Sequence, residues 1–447
     1  MKIPRRLGTL GLVLVALVVA SVSLPQTALA DAGQPHPAHP SKLQIGFNGA
    51  DITGTEAQVP RIAQFYAAER DAANNGNVDG NNGNGKGNQP TMLCHAYVSW
   101  DIGLEPADAG TDVPAGSLPV QTSRAWLQAW LQAYEGTCDQ ALITFKWKDG
   151  VSCHYYTGCA GGTDVEALPE PEEVGASLKA FLSESWPGWT GSFAFTPWNE
   201  PNNSGAVASG FTNGQIVPAR TDADYYLAMR QYCTPAVHCQ IAAGDFNSNG
   251  NHWEDFVQQC ADDTSTLCAD GSYMDILKYY LAHDAVNYGL PSDFRPEYFA
   301  FHAWSDANDY LHSIQNPGAV TQCQTLTDAH CVTRLTYDAL STALYPANAS
   351  WNKVEIWNTE VGAGQNGNTF NTSPTNDQQA QTAAFIFDLT STVTDRITRL
   401  YYTRAWESDG QWWSLFCSDG TTPKPSLSVL VNRATSYTPT GTTCPSD

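Results

Sequence analysis

The sequence predicts an α/β fold, a (β/α)8 TIM barrel with disulfide-stapled loops, and three observations carry that prediction. Short apolar runs recur along the chain with helix-period segments between them, the signature of parallel βα units. Two of these runs lead straight into clustered amide, carboxylate and proline or glycine, which is how a barrel strand delivers polar groups to its rim. No Pro/Gly/Ser-rich linker divides the interior of the 447-residue chain, and barrels with long loops exceed about 400 residues.

The elements read in order as follows. Leu43 to Asn48 is strand 1 and Met92 to Trp100 is strand 2. A helix follows from Ser123 to Tyr134, with Ser123 as N-cap and Trp126, Trp130 and Tyr134 on one face, the i, i+4, i+8 spacing of a buried stripe. Gln140 to Trp147 is strand 3, and Glu172 to Ser183 its helix, presenting Val174, Leu178 and Phe181. Strand 4 is Ser192 to Trp198, followed by a helix from Asp222 to Tyr232; strand 5 is Gln240 to Phe246, followed by Tyr273 to Asp284. Strand 6 is Glu297 to Trp304 with a helix from Thr333 to Leu344, and strand 7 is Lys353 to Thr359 with a helix from Asp377 to Thr392. Strand 8 is Ile397 to Trp406, and Pro425 to Arg433 closes the ring. Eight strands alternating with eight helices is the expected count.

Lys2, Arg5 and Arg6 precede an apolar run from Leu7 to Leu24, and Ala28-Leu29-Ala30 ends the segment. That order of charge, apolar stretch and small residues reads as a secretory signal peptide over 1–30 rather than a membrane anchor. Residues 31–41 read as a disordered Pro/His-rich lead-in, and 42–447 as a single catalytic domain in a secreted protein with no membrane association after processing. The expected state is monomeric.

An oxidising destination makes the twelve cysteines a disulfide set rather than a metal site. Spacing pairs Cys153/Cys159, Cys233/Cys239, Cys260/Cys268 and Cys323/Cys331 as loop staples, with Cys94/Cys138 and Cys417/Cys444 as longer links; chain order alone does not determine connectivity. None has the Cys-x-x-Cys spacing of a zinc site. The Asn/Gly tract from Asn74 to Asn88 opens like a calcium loop, but Lys86 stands where the bidentate glutamate belongs, so it reads as a surface loop.

The formal charge is −23, and loss of Lys2, Arg5 and Arg6 deepens it. Such a surface repels phosphate backbones and excludes nucleic acid as a partner class. A neutral oligo- or polysaccharide fits the charge best.

The chemistry sits in two segments. Phe195-Thr196-Pro197-Trp198-Asn199-Glu200-Pro201 ends strand 4, and Ile356-Trp357-Asn358-Thr359-Glu360-Val361-Gly362 ends strand 7. Two glutamates at separate strand ends form the carboxylate pair that cuts glycosidic bonds. These motifs resemble the clan A glycoside hydrolases, the superfamily with catalytic glutamates on strands 4 and 7, with an overall look nearest family 39 or family 5. The resemblance implies Glu200 as acid/base, Glu360 as nucleophile, and Asn199 as the amide bonding the sugar 2-hydroxyl. It also implies Trp406 as the floor of the sugar subsite. Many clan members carry His-x-Tyr on strand 6, the tyrosine holding the nucleophile, whereas this chain has His302 and then Trp304, a departure that leaves the role of Trp304 open; both are candidate substrate-binding residues, and His302 is placed to bond either substrate or Glu360. Trp100 and Asp101 after strand 2, and Lys146 and Trp147 after strand 3, are further candidate sugar contacts; Trp412 and Trp413 either flank the cleft or close the barrel. Glu355 and Glu407 are competing acids, the first placed mid-strand and the second off the expected geometry.

The expected reaction is retaining hydrolysis with no metal or organic cofactor. A transglycosidase shares every one of these residues, and a catalytically silent carbohydrate-binding barrel shares the fold; sugar identity and endo or exo action are not encoded in the motifs.

Overall fold

The computed structural model describes residues 43–48, 55–74, 91–112, 119, 122–147, 168–202, 217–247, 273–292, 294–341, 351–362, 373–403, 405 and 414–445. Eight parallel strands close into a barrel in the order β1-β2-β3-β4-β5-β6-β7-β8. They are β1 Gln44–Asn48, β2 Leu93–Ser99, β3 Gln140–Lys146, β4 Ser192–Thr196, β5 Cys239–Phe246, β6 Tyr298–His302, β7 Glu355–Val361 and β8 Ile397–Thr403. All eight fall where the sequence puts them.

Nine α-helices occur among the described residues: α1 Thr55–Asn74, α2 Arg124–Tyr134, α3 Pro171–Ser183, α4 Ala219–Arg230, α5 Tyr273–His283, α6 Trp304–Gln315, α7 Val332–Ser341, α8 Asn376–Val393 and α9 Pro425–Asn432. Ser123 caps α2 as expected, accepting from the Trp126 N–H. Two helices go beyond the reading. The sequence pattern leaves α1 unassigned, and its apolar stripe is weak because Arg, Asp and Glu interrupt it. The other is α6, which begins at Trp304. Strand 6 therefore stops at His302, and two helices, not one, separate β6 from β7.

Each strand is buried on both faces, as a parallel barrel requires. The outward residues join the helices in one large core. Inside the barrel a separate apolar layer forms from Leu93, Leu142, Ala194, Ala242, Ala300, Trp357 and Tyr401. Small residues on β4 to β6 face the two large rings, so the layer fills without a void. Gly46 belongs to the same fit: a Cβ there would lie 2.5 Å from Tyr401 Cδ1.

Four expected disulfides are present: Cys94–Cys138, Cys233–Cys239, Cys323–Cys331 and Cys417–Cys444. The Cys153/Cys159 and Cys260/Cys268 pairs, the Asn/Gly tract beyond Asn74, and the residues read as signal peptide and lead-in lie outside the described residues. No described helix is long and apolar enough to cross a membrane.

Candidate active site

One layer above the apolar floor, the same inward-facing positions turn polar. Going up two residues along each strand replaces Leu93 with His95, Leu142 with Thr144, Ala194 with Thr196, Ala300 with His302 and Trp357 with Thr359, because side chains alternate across a strand. All five are fully buried.

The β5 contribution comes from a broken alternation. Simple parity would point Asp245 outward, since Ala242 points in. The register instead shifts between Gly244 and Phe246, and both Gly244 and Asp245 take positive φ, 92° and 85°. This bulge swings the Asp245 carboxylate inward. Gly244 makes it possible: its φ suits glycine, and a Cβ would meet the Ala300 carbonyl oxygen at 2.7 Å.

Asp245 is the hub of this layer. Its Oδ2 accepts from the hydroxyls of Thr144 at 3.3 Å and Thr196 at 3.1 Å, and its Oδ1 accepts from Thr359. The same Oδ1 faces His302 Nε2 at 3.3 Å. On the other side of the ring, His302 Nδ1 meets Glu200 Oε1 at 3.1 Å and lies 3.7 Å from Glu360 Oε2. Burial opposes charge on His302, but the facing Asp245 carboxylate, and then Glu200, overrule it and raise its pKa to about 9. Asp245, despite full burial, is held below the usual carboxylate range by His302, His95 and the Thr359 hydroxyl. His95 goes the other way, lowered to about 4 by burial and by the nearby His302 charge; its Nε2 pairs with Thr144 Oγ1 at 2.7 Å.

Glu200 follows β4 with φ of 47°, left-handed backbone that a non-glycine residue adopts at a cost of about 1–3 kcal/mol. It is pinned there by its N–H donating to the Asp245 carbonyl at 3.0 Å, while the Asn199 N–H donates to Phe145 O at 2.8 Å. Glu360 lies within β7, where register shifts at Phe301/His302 and Asn358/Val361 let consecutive Thr359 and Glu360 both reach the His302 neighbourhood. Its Oε2 accepts from the Trp304 indole N–H at 2.7 Å, and the Ala303 N–H binds its carbonyl at 2.9 Å. Carboxylate oxygens of Glu200 and Glu360 and a ring nitrogen of His302 all lie within 4.8 Å of one another.

That cluster has the spacing of a cation site, and His302 Nδ1 lies between the two acids. Asp306, Cys323 and Cys331 also converge. Those cysteines form a disulfide, and Asp306 caps α7 through Val332 and Thr333, so this second cluster is structural.

The structure thus gathers Glu200, Glu360, His302 and Trp304, with Asn199 next to Glu200 in the chain and buried. Trp304 does so from the first turn of α6 rather than from a strand end. Trp100, Asp101, Lys146 and Trp147 sit together where β2 and β3 end: the Trp100 N–H bonds Lys146 O at 2.8 Å, Ser99 Oγ caps Asp101, and Lys146 Nζ lies 4.9 Å above the Trp147 ring. Trp406, Glu407, Trp412 and Trp413 lie outside the described residues. Glu355 is not mid-strand; it opens β7, exposed, and accepts from Thr398 at 3.0 Å. Sequence reading missed Asp245, Thr359, His95, Thr144 and Thr196. Strand parity would have exposed the last four, whereas Asp245 depends on the bulge.

No protein-family model and no curated protein matches the chain. Similar solved structures include a glucosidase from Croceicoccus marinus, at 12% identity and a TM-score of 0.44, covering 87% of this chain and 65% of that one. A GH39 enzyme from Xanthomonas axonopodis pv. citri has 13% identity and a TM-score of 0.46 over 88% of this chain and 65% of its own. A family 5 xyloglucanase from Paenibacillus pabuli has 10% identity and a TM-score of 0.43, with 88% of this chain and 98% of that one covered. The chain therefore spans about two thirds of the first two. Overlaps this shallow decide nothing about activity, and the barrel stands on its own closed strand order.

Proposed function

We propose that this protein is a secreted glycoside hydrolase that cleaves a neutral glycan with retention of anomeric configuration. The observation that carries the reading is the approach of the Glu200 and Glu360 carboxylates to within 4.8 Å. Retaining enzymes hold their acids roughly 5 Å apart, and inverting enzymes need about 6.5–9.5 Å to admit a water.

In this reading Glu360 attacks the anomeric carbon while Glu200 protonates the departing oxygen; Glu200 then takes a proton from water, whose oxygen displaces Glu360 from the sugar. In this reading His302 Nδ1, 3.1 Å from Glu200 Oε1, engages that oxygen and leaves Oε2 to carry the transferable proton. The indole N–H of Trp304 holds Glu360 Oε2 and orients its other oxygen, a task the resemblance gives to a tyrosine. Asn199, adjacent to Glu200, is the proposed donor to the sugar 2-hydroxyl. Trp406 is proposed as the subsite floor, with Trp100, Asp101, Lys146 and Trp147 lining one rim.

A screen of nitrophenyl glycosides and of plant, fungal and bacterial polysaccharides tests the reading. The expected result is turnover of at least one substrate, with proton NMR showing a first-formed product of unchanged anomeric configuration. Turnover equal in wild type and Glu360→Ala would overturn it, as would an inverted product. An added acceptor alcohol separates hydrolysis from glycosyl transfer.

A further inference from the structure

We propose that Asp245 is a positioning residue that holds His302 as an imidazolium wedged between Glu200 and Glu360, giving the two acids a built-in counter-charge. The inference rests on the reading of that pair as a glycosidase site, but the charge assignment itself does not.

The geometry carries it. Both ring nitrogens of His302 face carboxylate oxygens, Glu200 Oε1 at 3.1 Å and Asp245 Oδ1 at 3.3 Å. When Glu200 is ionised, or carries its proton on Oε2, its Oε1 only accepts, as Asp245 Oδ1 does, so a neutral ring, with one bare nitrogen, would set a lone pair against a lone pair. Asp245 is favoured as an ionised acceptor: Thr359 donates to its Oδ1, and the Thr144–Thr196 hydroxyl pair, 2.6 Å apart, supplies a donor to its Oδ2. Among the described residues the titratable groups around the ring are Glu200 after β4, Asp245 from β5, Glu360 from β7 and His95 from β2, while Thr144 from β3 bonds Asp245 and the Trp304 indole from α6 bonds Glu360.

The placement of charge has a chemical purpose. Two carboxylates this close ordinarily share one proton through mutual repulsion. An imidazolium between them stabilises the remaining negative charge on whichever acid carries it, Glu360 as nucleophile and Glu200 as carboxylate base. Asp245 lies behind the ring, so the cation nearer the sugar acts on the two acids while the net charge of the site is unchanged.

The test reads the ring directly. In protein labelled with ¹⁵N-histidine, with His302 assigned by its loss in His302→Gln, both ring nitrogens are expected to report the protonated form at pH 7.5. In folded Asp245→Asn, the His302 titration is expected to fall by more than 2 pH units, and the alkaline limb of the pH–rate profile to move up by about one unit as Glu200 loses its nearer cation. A wild-type His302 that is neutral at pH 7.5 overturns the proposal whatever the protein's activity. So does a folded Asp245→Asn whose His302 titration and pH–rate profile match wild type. An imidazolium lost in Asp245→Asn, in a protein that turns over no glycoside, upholds the charge assignment and removes only the glycosidase reading.

Discussion

The floor and the mouth of the barrel are built from the same strands, two residues apart, and are equally buried but opposite in polarity. The floor is seven apolar side chains in a closed layer, stabilised by burial and close packing. The layer above it is two histidines, three threonines and an aspartate, as thoroughly buried, and held by hydrogen bonds and one ion pair. Buried polar groups of that density destabilise a fold unless each is paired. Their presence at the C-terminal strand ends, beneath two glutamates, is what a reactive site needs and a stability core does not.

The sharpest way to separate the two regions is to truncate one side chain in each. Glu360→Ala is expected to lower turnover by about 10³-fold or more while leaving the urea midpoint near wild type. Tyr401→Ala in the floor is expected to do the reverse, lowering unfolding free energy by about 3–5 kcal/mol with near-normal turnover by the folded fraction. Urea titration alongside kinetics on any active glycoside checks both; a matched loss in both assays would collapse the distinction.

Glu200→Gln tests the acid/base within the mouth. It is expected to reduce turnover about 10²–10⁴-fold on poor leaving groups and far less on nitrophenyl ones, which leave without protonation. An equal loss on both classes would argue against the acid role. Trp304→Phe keeps the ring and removes the N–H that binds Glu360. A hydrogen bond to a charged group contributes about 1.5–3 kcal/mol, so kcat is expected to fall roughly ten- to hundredfold with little change in melting temperature.

The smallest effect is on stability against pH, measured by urea unfolding at several pH values. His302 has its folded pKa raised to about 9 from an ordinary 6.5, so its contribution is complete below about 6.5 and lost as pH rises through about 9. Asp245 has its pKa lowered from 3.8, so its contribution is complete above about 3.8 and lost as pH falls through its folded value. The pair is expected to stabilise most between those limits, and Asp245→Asn to flatten the alkaline decline.

Much of this was legible in the chain. The eight apolar runs, the helix stripes, the paired cysteines and the two glutamate motifs are local patterns, and local patterns survive without a structure. Trp304 shows where legibility stops: its apolar neighbours extend strand 6 on paper, but the backbone turns into α6 at that residue, and from there the indole reaches Glu360. Helix α1 was hidden by charged residues on its face.

By itself the sequence determined the barrel and its strand positions, and it pointed to the cysteine pairs and the two glutamate motifs, because strand alternation, helix period and cysteine spacing are encoded within short stretches. Only the tertiary structure decided that Asp245 turns inward, that His302 bridges it to Glu200, and that an indole holds Glu360. Those facts depend on a bulge and on contacts between residues 45 to 114 positions apart in the chain, and no periodicity within one strand records what the neighbouring strand brings to meet it.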